Sequence, residues 1–271
     1  MFCPICFTPI PSDTGTCVRC SWVTTAFVVR QGEIDCSEAR LPPDDLIYRV
    51  MGSKDPQSFL AAGREVAESF VRGLDRSDRR LRDCPRILDF GSGCGRVLRW
   101  LIPKAPDSVW TACDIDAPAI DWVRQNLPSV TAITSETSPP LPFDDGQFDL
   151  VLGYSVFTHL PTEYQDVWLK ELRRVTHPGG TLLLTVHGPS AFRGAAARSS
   201  FTAEHLDSYI EDGFFYWSND FWKDHFPAYY QTAFHQPSYI RSHWTQWLEI
   251  EGVMELAAYP NHDLVLARRS N

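Results

Sequence analysis

From residue 86 onward, short apolar runs alternate with amphipathic stretches. RILDF (86–90), VWTACD (109–114), VTAIT (130–134), FDLVLG (148–153) and TLLLTVH (181–187) read as strands. GRVLRWLI (95–102) and AIDWVRQNL (119–127) read as the helices between them, the second with Pro118 in its first turn and Asp116 at its cap. Pro161 opens a longer helix with Trp168, Leu172 and Val175 on one face, and HPGG (177–180) ends it. Strand–helix alternation of this kind predicts an α/β fold, a doubly wound parallel sheet covered on both faces and wound right-handed. Upstream, Phe59, Gly63, Val66, Phe70 and Leu74 recur at helical spacing. Downstream, WLEI, VMELAAY and HDLVLAR (247–268) leave no room for a full helix and predict a hairpin at one sheet edge.

The same pattern divides the chain. Residues 1–30 form a small cysteine-rich module, 31–56 (with LPPDDL) a linker, and 57–271 the main domain, with an aromatic lid around 201–245. Apolar residues make up 44% of the 271 and charged residues 22%, ordinary for a globular chain. No apolar run approaches the roughly 20 residues of a membrane span. MFCPICF has no basic region leading an apolar stretch, so a cytoplasmic location is expected. A net charge of −9 argues against wrapping a nucleic-acid backbone, and the arginines between 72 and 86 read as a solvated helix face and loop.

The stretch DFGSGCGR (89–96) carries the first chemistry. A phosphate-cradling loop would need Lys followed by Ser or Thr, which is missing. A dinucleotide fingerprint would need glycine where Arg96 stands. Asp89, at the strand end, would repel a pyrophosphate and attract an ammonium. Some 25 residues on, Asp114 ends the second strand, where a carboxylate accepts both hydroxyls of a ribose. Ile115 follows and can lie on an adenine face. The ligand these residues describe has a ribose, an adenine and a cationic amino-acid end.

ILDFGSGCGR (87–96), TACDID (111–116), PLPFDDGQFDLVLGYSVFTHL (140–160) and ELRRVTHPGGTLLL (171–184) resemble the class I S-adenosylmethionine-dependent methyltransferases, in the right order and spacing. The resemblance implies a Rossmann-like seven-stranded sheet with one antiparallel strand near its edge. It also implies that Gly91, Ser92 and Gly93 let the backbone approach S-adenosylmethionine and that Asp89 lies near its amino-acid end. Asp114 and Ile115 would hold its nucleoside, Glu136 would lie near the adenine amino group, and Tyr154 and Ser155 would line the transfer site. Asp116 is read as a helix cap.

Cys3, Cys6, Cys17 and Cys20 form C-x2-C-x10-C-x2-C, which resembles paired zinc knuckles with a gap shorter than the commoner one; a zinc ribbon is expected, with iron in a rubredoxin-like site or unmetallated thiols as the alternatives. Four thiolates leave no open coordination position, so the zinc is expected to be structural. Ten aromatic residues fall between 214 and 235, a segment that in this fold covers the active site. An oxygen nucleophile benefits from a base, and His159, His187 and His235 are the catalytic candidates, with His225 beside them. The expected reaction is methylation of a small molecule, a specialised metabolite or sugar, at oxygen or nitrogen. The alternatives are a protein or nucleic-acid methyltransferase that recognises its target through the ribbon, and a non-catalytic regulator that keeps the fold. A homodimer is left open, the net charge argues against nucleic acid as a partner, and no membrane partner is expected.

Overall fold

A computed structural model of the protein describes residues 40–197, 201–218 and 224–270. The four cysteines of the expected zinc ribbon, residues 1–39 around them, and Phe221 and Trp222 of the aromatic stretch lie outside these residues.

The main sheet has seven strands: β1 (Arg86–Phe90), β2 (Val109–Asp114), β3 (Val130–Thr134), β4 (Phe148–Gly153), β5 (Thr176–Val186), β8 (Glu249–Ala258) and β9 (His262–Arg268). A separate two-stranded hairpin is made by β6 (Phe214–Trp217) and β7 (Thr232–His235). The order across the main sheet is β3-β2-β1-β4-β5-β9-β8. Strands β1 to β5 pair in parallel, whereas β9 runs antiparallel to β5 and β8. The expected seven-stranded sheet, its single antiparallel strand and the C-terminal edge hairpin are all present. The edge strand β8 is one bulged strand rather than two short ones.

Period-two alternation sorts the strand residues into two cores. Ile87, Leu150, Leu152, Leu183 and Leu264 face one side of the sheet, where α2 (Pro56–Asp75) presents Val66, Phe70 and Leu74. Leu88, Val151, Leu182, Leu184 and Val265 face the other, against Leu169, Leu172 and Val175 of α5 (Thr162–Val175) and Ile240 of α8 (Pro237–His243). The start of α2 is set by Asp55, whose carboxylate accepts from the Ser58 N–H at 2.9 Å, with Pro56 in the first turn.

Two expectations give way. The linker contains a helix, α1 (Asp44–Met51), which seats Leu46 and Ile47 against Phe59, Leu60, Cys94 and Ala119. The helix expected over 95–102 shrinks to α3 (Leu98–Leu101). Gly91, Gly93 and Gly95 all have positive φ, which holds the loop out of helical geometry, and Pro103 turns the chain into a short 3-10 segment. The remaining helices are α4 (Ala117–Asn126) after β2, and α6 (Pro189–Ala196) and α7 (Ala203–Asp212) ahead of the β6–β7 hairpin. Phe192, Tyr209, Phe215 and Phe234 form the core of that last unit. It is fixed to the sheet where the His235 N–H donates to the His187 carbonyl at 2.8 Å.

Phe70 is fully buried between α2 and the sheet. Phe70→Ala is expected to lower unfolding free energy by about 3–5 kcal/mol. Val109→Ala, at a position 62% exposed, should stay within about 0.5 kcal/mol of wild type in the same urea titration.

Candidate active site

The carboxyl ends of β1, β2 and β4 open on a cavity at the point where strand order reverses, the usual ligand position in such sheets. It encloses about 1090 Å³ counting its open mouth.

One end is built by the glycine loop. Gly91 and Gly93 have φ of +75° and +51°. A Cβ on Gly91 would lie 2.2 Å from Val156 Cγ2, and one on Gly93 2.6 Å from Val50 Cγ1. The Gly91 N–H donates to the Cys113 carbonyl at 2.8 Å, tying the loop to β2. Asp114 strengthens the tie: one carboxylate oxygen accepts the Gly93 N–H at 2.7 Å, the other the Asp116 N–H at 2.8 Å. Each oxygen keeps a lone pair for a further donor.

Asp89 is 2% exposed and lines the same cavity, yet its Oδ2 has no hydrogen-bond partner. Burial, and then the charge of Asp114, push its pKa up to about 7. Burial likewise raises Asp114 to about 6, against the pull of its backbone donors. A buried carboxylate with an unmet oxygen is costly unless a donor or cation arrives.

Helix α1 closes this end from the side, a contribution the sequence reading missed. Arg49 and Val50 line the cavity, and the Arg49 guanidinium spans both oxygens of Asp116 at 2.9 and 3.1 Å. Asp116 stands at the start of α4 as expected, but its side chain caps nothing there and takes Arg49 instead. Glu136 is exposed and outside the cavity, while its neighbours Ser135 and Thr137 line it. The turn after β3 points the alternate residues inward.

The other end is aromatic. Tyr154, Ser155, Val156, His159 and Trp168 line it, joined by Phe226, Tyr229 and Tyr230 from the loop before β7. Ser155 has φ of +59°, a strained setting for a non-glycine residue. Its N–H donates to Thr185 Oγ1 at 2.7 Å and its hydroxyl lies 3.0 Å from that of Thr158. Tyr154 donates its hydroxyl to the Tyr259 carbonyl at 2.7 Å. The aromatic segment divides: Tyr229 and Tyr230 wall the cavity, whereas Phe215 and Phe234 pack in their own core.

The three candidate histidines part company. His159 lines the cavity, stacks on Tyr230 at 4.2 Å and hydrogen-bonds through Nδ1 to the Gln231 carbonyl at 2.5 Å. A carbonyl only accepts, so Nδ1 carries the proton and Nε2 keeps a lone pair. Burial lowers this histidine to about 4, the Gln231 bond notwithstanding. His187 lies behind it, its ring 4.8 Å from His262 and 5.6 Å from Phe234, and is absent from the lining. His235 is a core residue paired through Nε2 with Gln165 Oε1 at 3.1 Å. Burial holds both of these at about 3. His225 stands edge-on to Tyr48, with ring centroids 5.7 Å apart.

Sheet order, the antiparallel β9 and the glycine loop at the end of β1 define the class I methyltransferase fold. Residues 87–180 match the family described as a methyltransferase domain. A 23S rRNA (guanine(748)-N(1))-methyltransferase of Streptomyces fradiae is 25% identical over 186 residues, covering 67% of this chain and 61% of that protein. A fatty-acid O-methyltransferase of Mycolicibacterium smegmatis is 31% identical over 152 residues, covering 54% of each. The chain thus spans little more than half the length of these relatives. A solved structure, the 1,6-didemethyltoxoflavin-N1-methyltransferase of Burkholderia thailandensis, superposes with a TM-score of 0.53 at 14% identity, covering 86% of this chain and 93% of that one.

Asp89 gives a test that needs no ligand. Burial raises its pKa on folding from the ordinary carboxylate value to about 7, so it opposes folding increasingly as pH rises through that window. Asp89→Asn is expected to be more stable than wild type at pH 8, by up to roughly 4 kcal/mol, with the gain shrinking towards pH 4. Urea titrations of both proteins at several pH values measure the difference; a pH-independent gap would contradict the burial argument.

Proposed function

We propose that the protein transfers a methyl group from S-adenosylmethionine to an oxygen or nitrogen of a small molecule. The carrying observation is the buried, unmet Asp89 oxygen in a cavity floored by glycines that admit no Cβ. The donor set fits the cofactor. Asp89 would face its ammonium, the spare lone pairs of Asp114 its ribose hydroxyls, and Ile115 its adenine. The backbone of Gly91, Ser92 and Gly93 would run alongside, with Tyr154 and Ser155 at the methyl end. Glu136, turned to solvent, has no part in this reading.

Bound there, the cofactor supplies a methyl group already activated on a sulfonium. The chain's own residues then orient the partners and exclude water. The aromatic walls present π-faces to a cation and flat surfaces to an acceptor. His159 is the histidine able to meet the acceptor, through the Nε2 lone pair that its bond to Gln231 leaves free. His187 and His235 stand behind the wall. The fatty-acid O-methyltransferase relative supports an oxygen of a small molecule as the target.

A second reading rests on the rRNA methyltransferase relative, whose match covers two thirds of the chain. A net charge of −9 weighs against it, because phosphate contacts need a basic surface. The paired cysteines near the N-terminus remain a proposed structural zinc site. About one equivalent of zinc is expected in protein purified without chelator, and less than about half would sink that proposal.

Asp114→Ala is expected to abolish binding of S-adenosylhomocysteine in calorimetry. Near-native affinity in a folded variant would refute the assigned role.

A further inference from the structure

Two arginines line the cavity, Arg49 and Arg96, and Arg49 is paired with Asp116. Arg96 differs. It lines the cavity, and no described carboxylate pairs with it. Its guanidinium carbon lies over the Tyr154 ring, 5.1 Å from the centroid, at the transfer end of the site. Tyr230 feels the charge of Asp114 and then that of Arg96, and His262 also feels Arg96. The stem is seated by Gly63 of α2: a Cβ there would come within 2.2 Å of the Arg96 carbonyl and 3.0 Å of its Cγ. The backbone packing therefore holds this side chain at the cavity.

The geometry points to Arg96 as the residue that receives a carboxylate of the methyl acceptor, making the acceptor a carboxylic acid. This rests on the methyl-transfer reading above and deepens it. A guanidinium stacked on an aromatic face and lacking an acid is a ready fork for a carboxylate. One carboxylate oxygen held by Arg96 leaves the other to attack. In the step, a C–O bond forms to the methyl carbon and the methyl C–S bond breaks. The sulfur keeps the electron pair and leaves as a neutral thioether, and the product is a methyl ester. No proton moves. That suits a cavity whose lining histidine is held neutral, since a carboxylate arrives already deprotonated. Opposite charges annihilate in the step, which walls of low polarity favour. Asp89, Asp114 and Asp116 line the same cavity and are left to the cationic donor.

The test uses the full chain loaded with S-adenosylhomocysteine. Octanoate and benzoate are titrated beside their neutral amides into wild type, Arg96→Gln and Arg96→Lys, each checked for folding by near-UV circular dichroism. Each carboxylate should bind loaded wild type better than its amide and lose about tenfold or more in Arg96→Gln, with partial recovery in Arg96→Lys. The affinity for S-adenosylhomocysteine should change by less than about twofold. Wild type that binds neither carboxylate above its amide overturns the proposal, as does equal carboxylate binding by Arg96→Gln. So does a loss of S-adenosylhomocysteine affinity in Arg96→Gln with 5′-methylthioadenosine binding unchanged, which would give Arg96 to the donor's own carboxylate. Failure of wild type to bind S-adenosylhomocysteine would instead defeat the methyl-transfer reading itself.

Discussion

The site depends on one carboxylate. Asp114 accepts the N–H of Gly93 with one oxygen and that of Asp116 with the other. It thereby joins the loop after β1 to the turn after β2. The glycine loop needs such a clamp because its left-handed residues carry no helical hydrogen-bond ladder of their own. With the loop fixed, Val50 of α1 can close onto Gly93, and Arg49 can close onto Asp116. The entry to the cavity is therefore set by contacts that converge on Asp114 and its immediate neighbours.

That arrangement gives the cavity two unlike ends. One holds Asp89, Asp114 and Asp116; the other holds aromatic rings, Ser155 and His159. Burial of Asp89, and then the charge of Asp114 beside it, opposes folding, and burial raises Asp114 as well. A cation brought between them relieves this, so the same feature that weakens the fold favours a positively charged ligand. At the far end the histidine is kept neutral by burial, and Arg96 supplies positive charge in its place.

The strands and the glycine loop were legible because their signals are local. RILDF and FDLVLG are apolar on both faces, as central parallel strands must be, and the α2 stripe of Phe59, Val66, Phe70 and Leu74 repeats at helical period. Asp89 and Asp114 followed from their place at strand ends. What escaped was set by distant partners. Helix α1 is short: its apolar residues Leu46, Ile47, Val50 and Met51 share one face, but eight residues gain their stability from packing on Phe59 and Ala119. Glu136 was misplaced because a turn decides which of three adjacent residues points inward. His235 looked as reactive as His159, since nothing local announces its bond to Gln165, 70 positions away. Arg96 first mattered only as the residue that spoiled a dinucleotide fingerprint; its place over Tyr154 gives it a meaning of its own.

The most direct measurement is calorimetric titration of S-adenosylhomocysteine and of NAD into the wild-type protein. The account predicts one saturable site per chain for S-adenosylhomocysteine and none for NAD, because Asp89 meets an ammonium and repels a pyrophosphate. A folded protein that ignores S-adenosylhomocysteine, or binds NAD as well, would contradict it.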